Sequence, residues 1–453
     1  MDGQIRIDLP EQVEYIIKML EQQGFEAYAV GGCVRDSILG RTPQDWDITT
    51  SAKPQQVKAL FGHTIDTGIR HGTVTVMRNH VGYEVTTYRI DGEYEDARHP
   101  KEVQFTASLL EDLKRRDFTI NAMAYNERDG LVDAFDGLRD LERGIVRCVG
   151  KAEERFTEDA LRMLRAVRFA SQLGFEVEEG TRLAMTRLSG NLAKVSAERI
   201  QAELVKLLVS DHPGLLRLAY ETGLTGVFLP EFDRMMETPQ NHPHHCYSVG
   251  EHTLEAVAAI PADRVLRLAM LLHDVAKPAC RTTDEAGIDH FYGHQAAGKE
   301  QACVILKRLK FDNDTTDRVC RLIEWHDDTP KLSEKSIRRA ISRIGAEQFP
   351  DLFAVRRADI RAQSAYQREE KLAYVDAYEA MYEEIVAQGQ CLTIRDLAVD
   401  GRDLMGAGMK PGREMGEMLR RLLEAVLEEP GLNRKDCLLA LAGTFCETSS
   451  HES

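Results

Sequence analysis

A chain of 453 residues is long enough for about three domains, and 43% hydrophobic with 29% charged residues is the make-up of an ordinary soluble globular protein. The net charge of −16 disfavours indiscriminate nucleic-acid binding, yet residues 101–206 hold 18 Lys/Arg against 19 Asp/Glu, which leaves room for a focused basic groove. Nine cysteines without a C-x-x-C pair speak against a disulfide framework and a Cys-based zinc site, and fit reduced thiols in a cytoplasmic protein.

At the N-terminus, MDGQIRIDLPEQVEYI has neither a basic n-region nor an apolar h-region, so no secretory signal is expected. No apolar run reaches the length of a membrane span, so no membrane partner is expected either. PEQVEYIIKMLEQQG reads as an amphipathic helix stopped by Gly24, followed by a strand in EAYAV. DWDITT, GTVTVMRN and GYEVTTYRI are rich in β-branched and aromatic residues and read as further strands, and DGEYEDARHP reads as a loop. From about Phe156 the signal is almost wholly helical. TEDALRMLRAVRFASQLG is expected to be one helix with Thr157 as N-cap and Gly174 just beyond its end. Eight of the fourteen histidines fall between His242 and His326, which marks a separate domain, and a helical tail follows from about Ala340. The fold class is α+β: a small mixed sheet with helices, followed by an all-helical body.

Chemistry gathers first in AVGGCVRDSILGRTPQDWDITT. On a strand, Asp45 and Asp47 share a face while Trp46 points to the other. Two carboxylates that close repel unless a cation lies between them, and Mg²⁺ takes one or two carboxylates together with phosphate oxygens and water. Upstream, Gly31 and Gly32 lie between a strand and a short helix, where backbone N–H groups can cradle a triphosphate, and Arg35 offers a fork of donors for phosphate oxygens. Metal-binding carboxylates beside a phosphate cradle imply two-metal phosphoryl or nucleotidyl transfer.

GGCVRDSILGRTPQDWDITT resembles the signature of the class II tRNA nucleotidyltransferases (CCA-adding enzymes) and the related bacterial poly(A) polymerases. The resemblance implies a polymerase-β-like nucleotidyltransferase head in which Asp45 and Asp47 hold Mg²⁺ ions, one of them activating an RNA 3′-hydroxyl to attack the α-phosphate of an NTP. Glu84, in the strand YEVTTY, is the candidate third carboxylate.

In EDALRMLRAVRFA, Asp159, Arg162, Arg165 and Arg168 are spaced by threes, and no acid after Asp159 matches the arginines up to Leu173. A carboxylate only accepts and a guanidinium only donates. Cytosine and adenine both present an amine donor beside a ring-nitrogen acceptor, whereas uracil and guanine present the reverse. An Asp159/Arg162 pair therefore accepts C and A and leaves U and G with unpaired buried groups. The family's EDxxR motif matches Glu158, Asp159 and Arg162 and implies this kind of amino-acid template, with Arg165 and Arg168 near the triphosphate or base. LKRRDFTINAMAYN resembles the third head motif, which implies Arg116 at the nucleotide and Asp117 and Asn121 as braces. RIDGEYEDARHPKEVQF resembles the loop of full CCA-adding and A-adding enzymes, with matches at Arg89, Asp91, Arg98 and Pro100.

GEHTLEAV, LLHDVAKP, FYGHQAAG and EWHDD look like an HD-type metal phosphohydrolase module. Its expected ligands are His252, His273, Asp274 and Asp327, with His294 and His326 as phosphate or second-metal contacts. Such a His/Asp set suits Mn²⁺, Fe or Ni²⁺ more than Mg²⁺. The C-terminal segment resembles the body that holds the tRNA elbow. The expected division is a head at 1–155, a neck with the nucleotide template and RNA-binding region at 156–235, an HD-type domain at 236–340, and a tRNA-binding body and tail at 341–453. The function implied is template-independent addition of CCA to tRNA from CTP and ATP, with release of pyrophosphate. The alternatives are a poly(A) polymerase or A-adding enzyme on the same head, an HD phosphohydrolase with a vestigial head, and a tRNA-binding protein that needs no divalent metal.

Overall fold

The computed structural model describes residues 5–91 and 103–449. They form two compact units divided after Asp233, with Arg308–Lys310 belonging to the first.

The first unit opens with α1 (Glu11–Gln22), which buries Val13, Ile16, Ile17 and Leu20 on one stripe and carries Glu11 and Glu14 in its first turn, where the helix dipole favours acids. Gly24, at φ +81°, turns the chain into β1 (Ala27–Val30), whose four residues are all buried. The other elements of the head are α2 (Gly32–Ile38), β2 (Ile48–Thr50), α3 (Pro54–Leu60), β3 (Thr64–Gly68), β4 (Thr73–Arg78), β5 (Val81–Thr87), β6 (Arg89–Asp91), β7 (Val103–Phe105), α4 (Leu109–Lys114), β8 (Met123–Asn126), β9 (Gly130–Asp133) and α5 (Gly137–Arg143). Seven strands make one mixed sheet in the order β3-β4-β5-β2-β1-β8-β9. β2 runs parallel to β5, with Ile48 beside Val85, and antiparallel to β1. Tyr28, Val30, Tyr88, Leu113 and Ala124 pack together in its core. β6 and β7 pair as a separate ladder on either side of residues 92–102, so Arg98 and Pro100 lie outside the described residues.

The sequence reading runs the DWDITT strand too far toward the N-terminus. β2 starts only at Ile48, so Asp45 and Asp47 lie on its approach, where the Asp47 carbonyl accepts the Val30 N–H at 3.0 Å. The second departure follows the head. The expected single helix is two, α6 (Ala152–Glu158) and α7 (Leu161–Leu173), with Thr157 inside α6 rather than capping it. The break is at Asp159, which is extended (φ −142°, ψ 103°) and whose side chain accepts the Leu161 N–H at 3.1 Å. A short acceptor side chain that takes a backbone N–H in this way competes with helix continuation. Gly174 ends α7 in the left-handed conformation, as expected. α8 (Glu179–Leu188) and α9 (Ala197–Leu208) follow, and α9 packs against α7.

One buried relay ties α7 to the head. Arg35 Nη1 donates to Asn121 Oδ1 at 2.7 Å, Asn121 Nδ2 donates to Asp117 Oδ1 at 3.3 Å, and Arg165 donates from Nε and Nη2 to Asp117 Oδ2 at 2.9 and 2.6 Å. Burial alone would raise the Asp117 carboxyl, but Arg165 and Arg162 overcome it and hold the group down at about 2.

The second unit is helical apart from a ladder of two short strands, Thr282–Thr283 and Asp289–His290.

Removing one partner of a buried ion pair costs roughly 3–5 kcal/mol, so Asp117→Asn is expected to lower the unfolding free energy by about 3 kcal/mol in neutral solution. Because the folded carboxyl titrates near 2 and an unfolded one near 3.9, this stabilisation is complete above about pH 4 and disappears as the pH falls to about 2. Denaturant unfolding of both proteins from pH 7 to 2 should show the gap closing in acid, and a gap that persists at pH 2 contradicts the assignment.

Candidate active site

β1 ends at Val30, and Gly31 turns the chain at φ +84°, a conformation that favours glycine. A Cβ there would stand 3.0 Å from Arg116 Nη1, so the glycine also lets that guanidinium lie against the turn. The Gly31 N–H donates to the Met123 carbonyl at 3.1 Å, so it is committed to the sheet rather than open to a phosphate. Gly32 opens α2. Arg35 is only 8% exposed, with Nε on Asp36 at 2.8 Å and Nη1 on Asn121, and its guanidinium lies 5.2 Å from the centre of the Phe169 ring.

Asp45 and Asp47 face one cavity of about 600 Å³, shared with Gly32, Arg35, Arg168 and Lys206. Among the described residues, no cation lies at ion-pair distance from either carboxylate. Withdrawal from water raises the Asp47 carboxyl, with Arg116 acting against the shift and Asp45 adding to it. Glu84 is raised by the same withdrawal, then by Asp47 and Asp45. The parallel pairing of β2 with β5 produces this convergence, because it sets Ile48 beside Val85 and so brings Asp47 next to Glu84. Arg116 lies between the turn and Asp112, 3.5 Å from Asp112 Oδ2, and its Nε is buried without a partner. Three carboxylates, an arginine and an open cavity can hold a divalent cation and an anionic ligand together.

The neck residues are more engaged than their sequence suggests. Asp159 accepts Arg199 Nη2 at 2.7 Å as well as the Leu161 N–H. Arg162 donates to Glu158 Oε2 at 2.6 Å and to the carbonyls of Arg155 and Arg115. Arg165 is held by Asp117, and Arg168 by Glu203 at 2.5 Å and Gln172 at 2.8 Å. The arginines of α7 therefore do have matching acids, but Asp117 and Glu203 come from other segments. Asp159 itself stands in the break before α7, not on the helix face with the arginines.

A second cluster lies in the other unit. His252 is on the helix Val249–Ala259, His273 and Asp274 follow the helix Arg264–Leu272, His294 starts the helix His294–Arg308, and His326 follows the helix Asn313–Trp325. His252, His273 and Asp274 form one group of converging ligand atoms, and Asp274, His294 and His326 form another. Three of the rings share one arrangement: Nδ1 faces a backbone carbonyl, Met270 at 2.7 Å for His273, Phe291 at 2.8 Å for His294 and Ile323 at 2.7 Å for His326. This fixes the Nδ1–H tautomer and turns Nε2 inward. The Nε2 atoms of His273 and His252 are 3.3 Å apart, and those of His294 and His326 are 3.4 Å apart. Lys277 lies 2.8 Å from Asp274, yet neither oxygen of that fully buried carboxylate has a partner in hydrogen-bonding geometry. Burial works against a charged His273, but Asp274 and Asp359 outweigh it and push the ring up to about 10.

The fourth position corrects the sequence reading. Asp359, not Asp327, meets the histidines: its Oδ1 is 2.9 Å from His252 Nε2 and 3.7 Å from His273 Nε2. Asp327 lines the pocket of about 440 Å³ over the cluster and accepts Gln295 Nε2 at 3.2 Å. The signal for Asp359 was an acid on the buried stripe Leu352, Val355, Arg356 and Ala362 of the helix Phe349–Ala362. EWHDD is the more conspicuous pattern because it places an acid next to a histidine. Arg199 and Glu203 leave no sequence signal for a different reason, since their partners lie 40 and 35 residues away.

Residues 27–147 match the poly A polymerase head domain, 174–236 the "Probable RNA and SrmB- binding site of polymerase A", and 283–442 the tRNA nucleotidyltransferase domain 2. The CCA-adding enzyme of Lactiplantibacillus plantarum is 37% identical over 442 residues, 96% of this chain and 96% of that one. Among solved structures, the Bacillus stearothermophilus CCA-adding enzyme in complex with CTP superposes with a TM-score of 0.74 at 31% identity, over 99% of this chain and 100% of that one. The Thermotoga maritima CCA-adding enzyme complexed with tRNA shares the fold, with a TM-score of 0.59 at 19% identity over 96% and 95% of the two chains. A carboxylate cluster beside the sheet, a neck of arginines and full-length relatedness agree: the chain belongs to the CCA-adding enzymes and is a tRNA nucleotidyltransferase.

Proposed function

We propose that this enzyme adds CCA to the tRNA 3′ end with Asp45 and Asp47 as the ligands of its divalent metal, Mg²⁺, and Glu84 as a supporting carboxylate. The observation that carries this reading is the single cavity onto which both carboxylates and the neck cations Arg168 and Lys206 open. Mg²⁺ bound there supplies a Lewis acid that lowers the pKa of the RNA 3′-hydroxyl and steadies the charge on the phosphates. Asp45 and Asp47 anchor the ion from the approach to β2, Arg116 and Arg168 meet phosphate oxygens, and the buried Arg35 fixes the wall behind them. CTP and ATP enter as substrates and pyrophosphate leaves. Asp159 has about four lone-pair positions, two of them used by Leu161 and Arg199, so it can still accept the amine of cytosine or adenine. Arg162 donates to the neighbouring ring nitrogen. Arg98 belongs to this reading on the strength of the motif alone. The finer division into head, neck, HD-type segment and tRNA-binding body is part of it too, as is a cytoplasmic location; among the described residues, no helix is long and apolar enough to cross a membrane.

The second cluster supports a separate metal-dependent phosphohydrolase site. His252, His273, Asp274 and Asp359 suit one transition-metal ion, and Asp274, His294 and His326 suit a second, with Asp274 common to both. The orphaned oxygens of Asp274 and the inward Nε2 atoms are what such ions would satisfy. Lys277 and Lys371 line the pocket above and offer charge to a phosphate.

A tRNA transcript ending at its discriminator base should gain three nucleotides and stop; a ladder of adenosines would instead identify a poly(A) polymerase. Asp47→Ala should reduce CMP incorporation at least about a thousandfold, while His273→Ala leaves it within about twofold, because its site is a different one. Loss of incorporation in His273→Ala alone contradicts the separation.

Metal analysis after loading with Mn²⁺ and desalting, in an Asp45→Ala/Asp47→Ala background, should find two equivalents, one in His326→Ala and almost none in Asp274→Ala. A single equivalent unaffected by His326→Ala removes the second position.

A further inference from the structure

We propose that Arg199 is a positioning residue for nucleotide choice: its guanidinium sets the plane of the Asp159 carboxylate that reads the base. The inference rests on the reading of Asp159 and Arg162 as the base-selective pair, and adds a residue that lies 40 positions away on another helix.

Asp159 belongs to neither α6 nor α7. Its backbone is extended, so no helical register constrains its side chain. Among the described residues, two contacts fix the carboxylate: Oδ1 accepts the Leu161 N–H at 3.1 Å, and Oδ2 accepts Arg199 Nη2 at 2.7 Å. Two points define the orientation of a planar group, and one leaves it free to rotate. Both side chains are mostly withdrawn from water, at 17% and 21% exposed, so the pair is screened less than a surface pair. Arg199 is in turn held in register. It lies in the first turn of α9 after Ser196, and one turn later Glu203 takes Arg168 at 2.5 Å and lies 3.7 Å from Arg165. α9 thus presents a cation to Asp159 and an anion to the arginines of α7 on one packed face.

Discrimination between C or A and U or G depends on a group that only accepts where the base only donates. A carboxylate turned away from the amine loses that bond for the correct bases and lowers the penalty for the wrong ones, so the ratio falls rather than only the rate. A misplacement on the order of 1 Å at such a site costs about a hundredfold.

Single-nucleotide incorporation on a tRNA transcript, measured as kcat/KM for each of the four NTPs, tests the role. Arg199→Ala should lower the CTP-over-UTP preference about ten- to a hundredfold, with Arg199→Lys retaining more of it and Arg199→Gln less than Lys. If Arg199→Ala does not fold, the Lys and Gln variants carry the same ranking. The double variant Asp159→Ala/Arg199→Ala should be no worse in preference than Asp159→Ala. An equal fall for all four nucleotides, with the ratio within twofold of wild type, would assign Arg199 a purely architectural role and overturn the proposal. Asp159→Ala separates the two levels. If it leaves the ratio intact, base reading at Asp159 is itself wrong; if it abolishes the ratio while Arg199→Ala does not, only the role of Arg199 falls.

Discussion

The first unit is organised around a carboxylate that solvent barely reaches. Asp117 is 9% exposed and joins three parts of the fold at once: Phe118 N–H and Asn121 hold one oxygen, and Arg165 holds the other with two donors. A charge buried this deeply is tolerated only when its partners are fixed, and each partner here is fixed by something further out. Asn121 is held by Arg35 on α2, and Arg165 is carried on α7, which packs on α9. Helix α2, which follows the glycine turn, and the helix that carries the arginines are therefore registered by one ionic relay rather than by apolar packing alone. Apolar contacts resist separation but tolerate sliding by fractions of an ångström, whereas two guanidinium donors converging on one carboxylate oxygen tolerate it far less.

This explains why the α7 arginines appear with carboxylates already beside them. Arg162, Arg165 and Arg168 each have an acid within 2.6 Å. An unpaired arginine in so enclosed a place would swing toward water or carry a large desolvation penalty. Paired, it keeps one orientation before any ligand arrives, and such preorganisation is what gives electrostatic sites their strength.

The parts legible in the sequence were those whose chemistry is local. Gly31, Asp45 and Asp47 lie within 17 residues of one another, so the turn and the carboxylate pair announce themselves by spacing, as does the run of inward histidines around Asp274. What escaped depended on tertiary contact or on a side chain competing with its own backbone. Arg162 has a local acid in Glu158, but the acids that neutralise Arg165 and Arg168 come from residues 117 and 203. Asp359 reaches the histidines from a helix with no histidine of its own. The helix break at Asp159 looked like continuous helix because every residue around it is a fair helix former; only the capture of the Leu161 N–H ends the register.

The two acidic centres differ in a way that bears on what each can do. In the head, Asp45 and Asp47 offer only oxygen to their cavity, and Glu84 stands near enough to feel both charges. Such a donor set favours a hard cation that keeps part of its water shell and shares it with phosphate. In the second unit, Nε2 atoms surround a carboxylate buried to 1% exposure, a set that favours borderline transition metals. A cation that must accompany each nucleotide in and out belongs with exchangeable oxygen ligands. A cation that stays to activate water belongs with imidazoles whose Nδ1–H bonds to backbone carbonyls already fix their direction. Oxygen-only and imidazole-rich donor sets thus lean toward different metals within one chain.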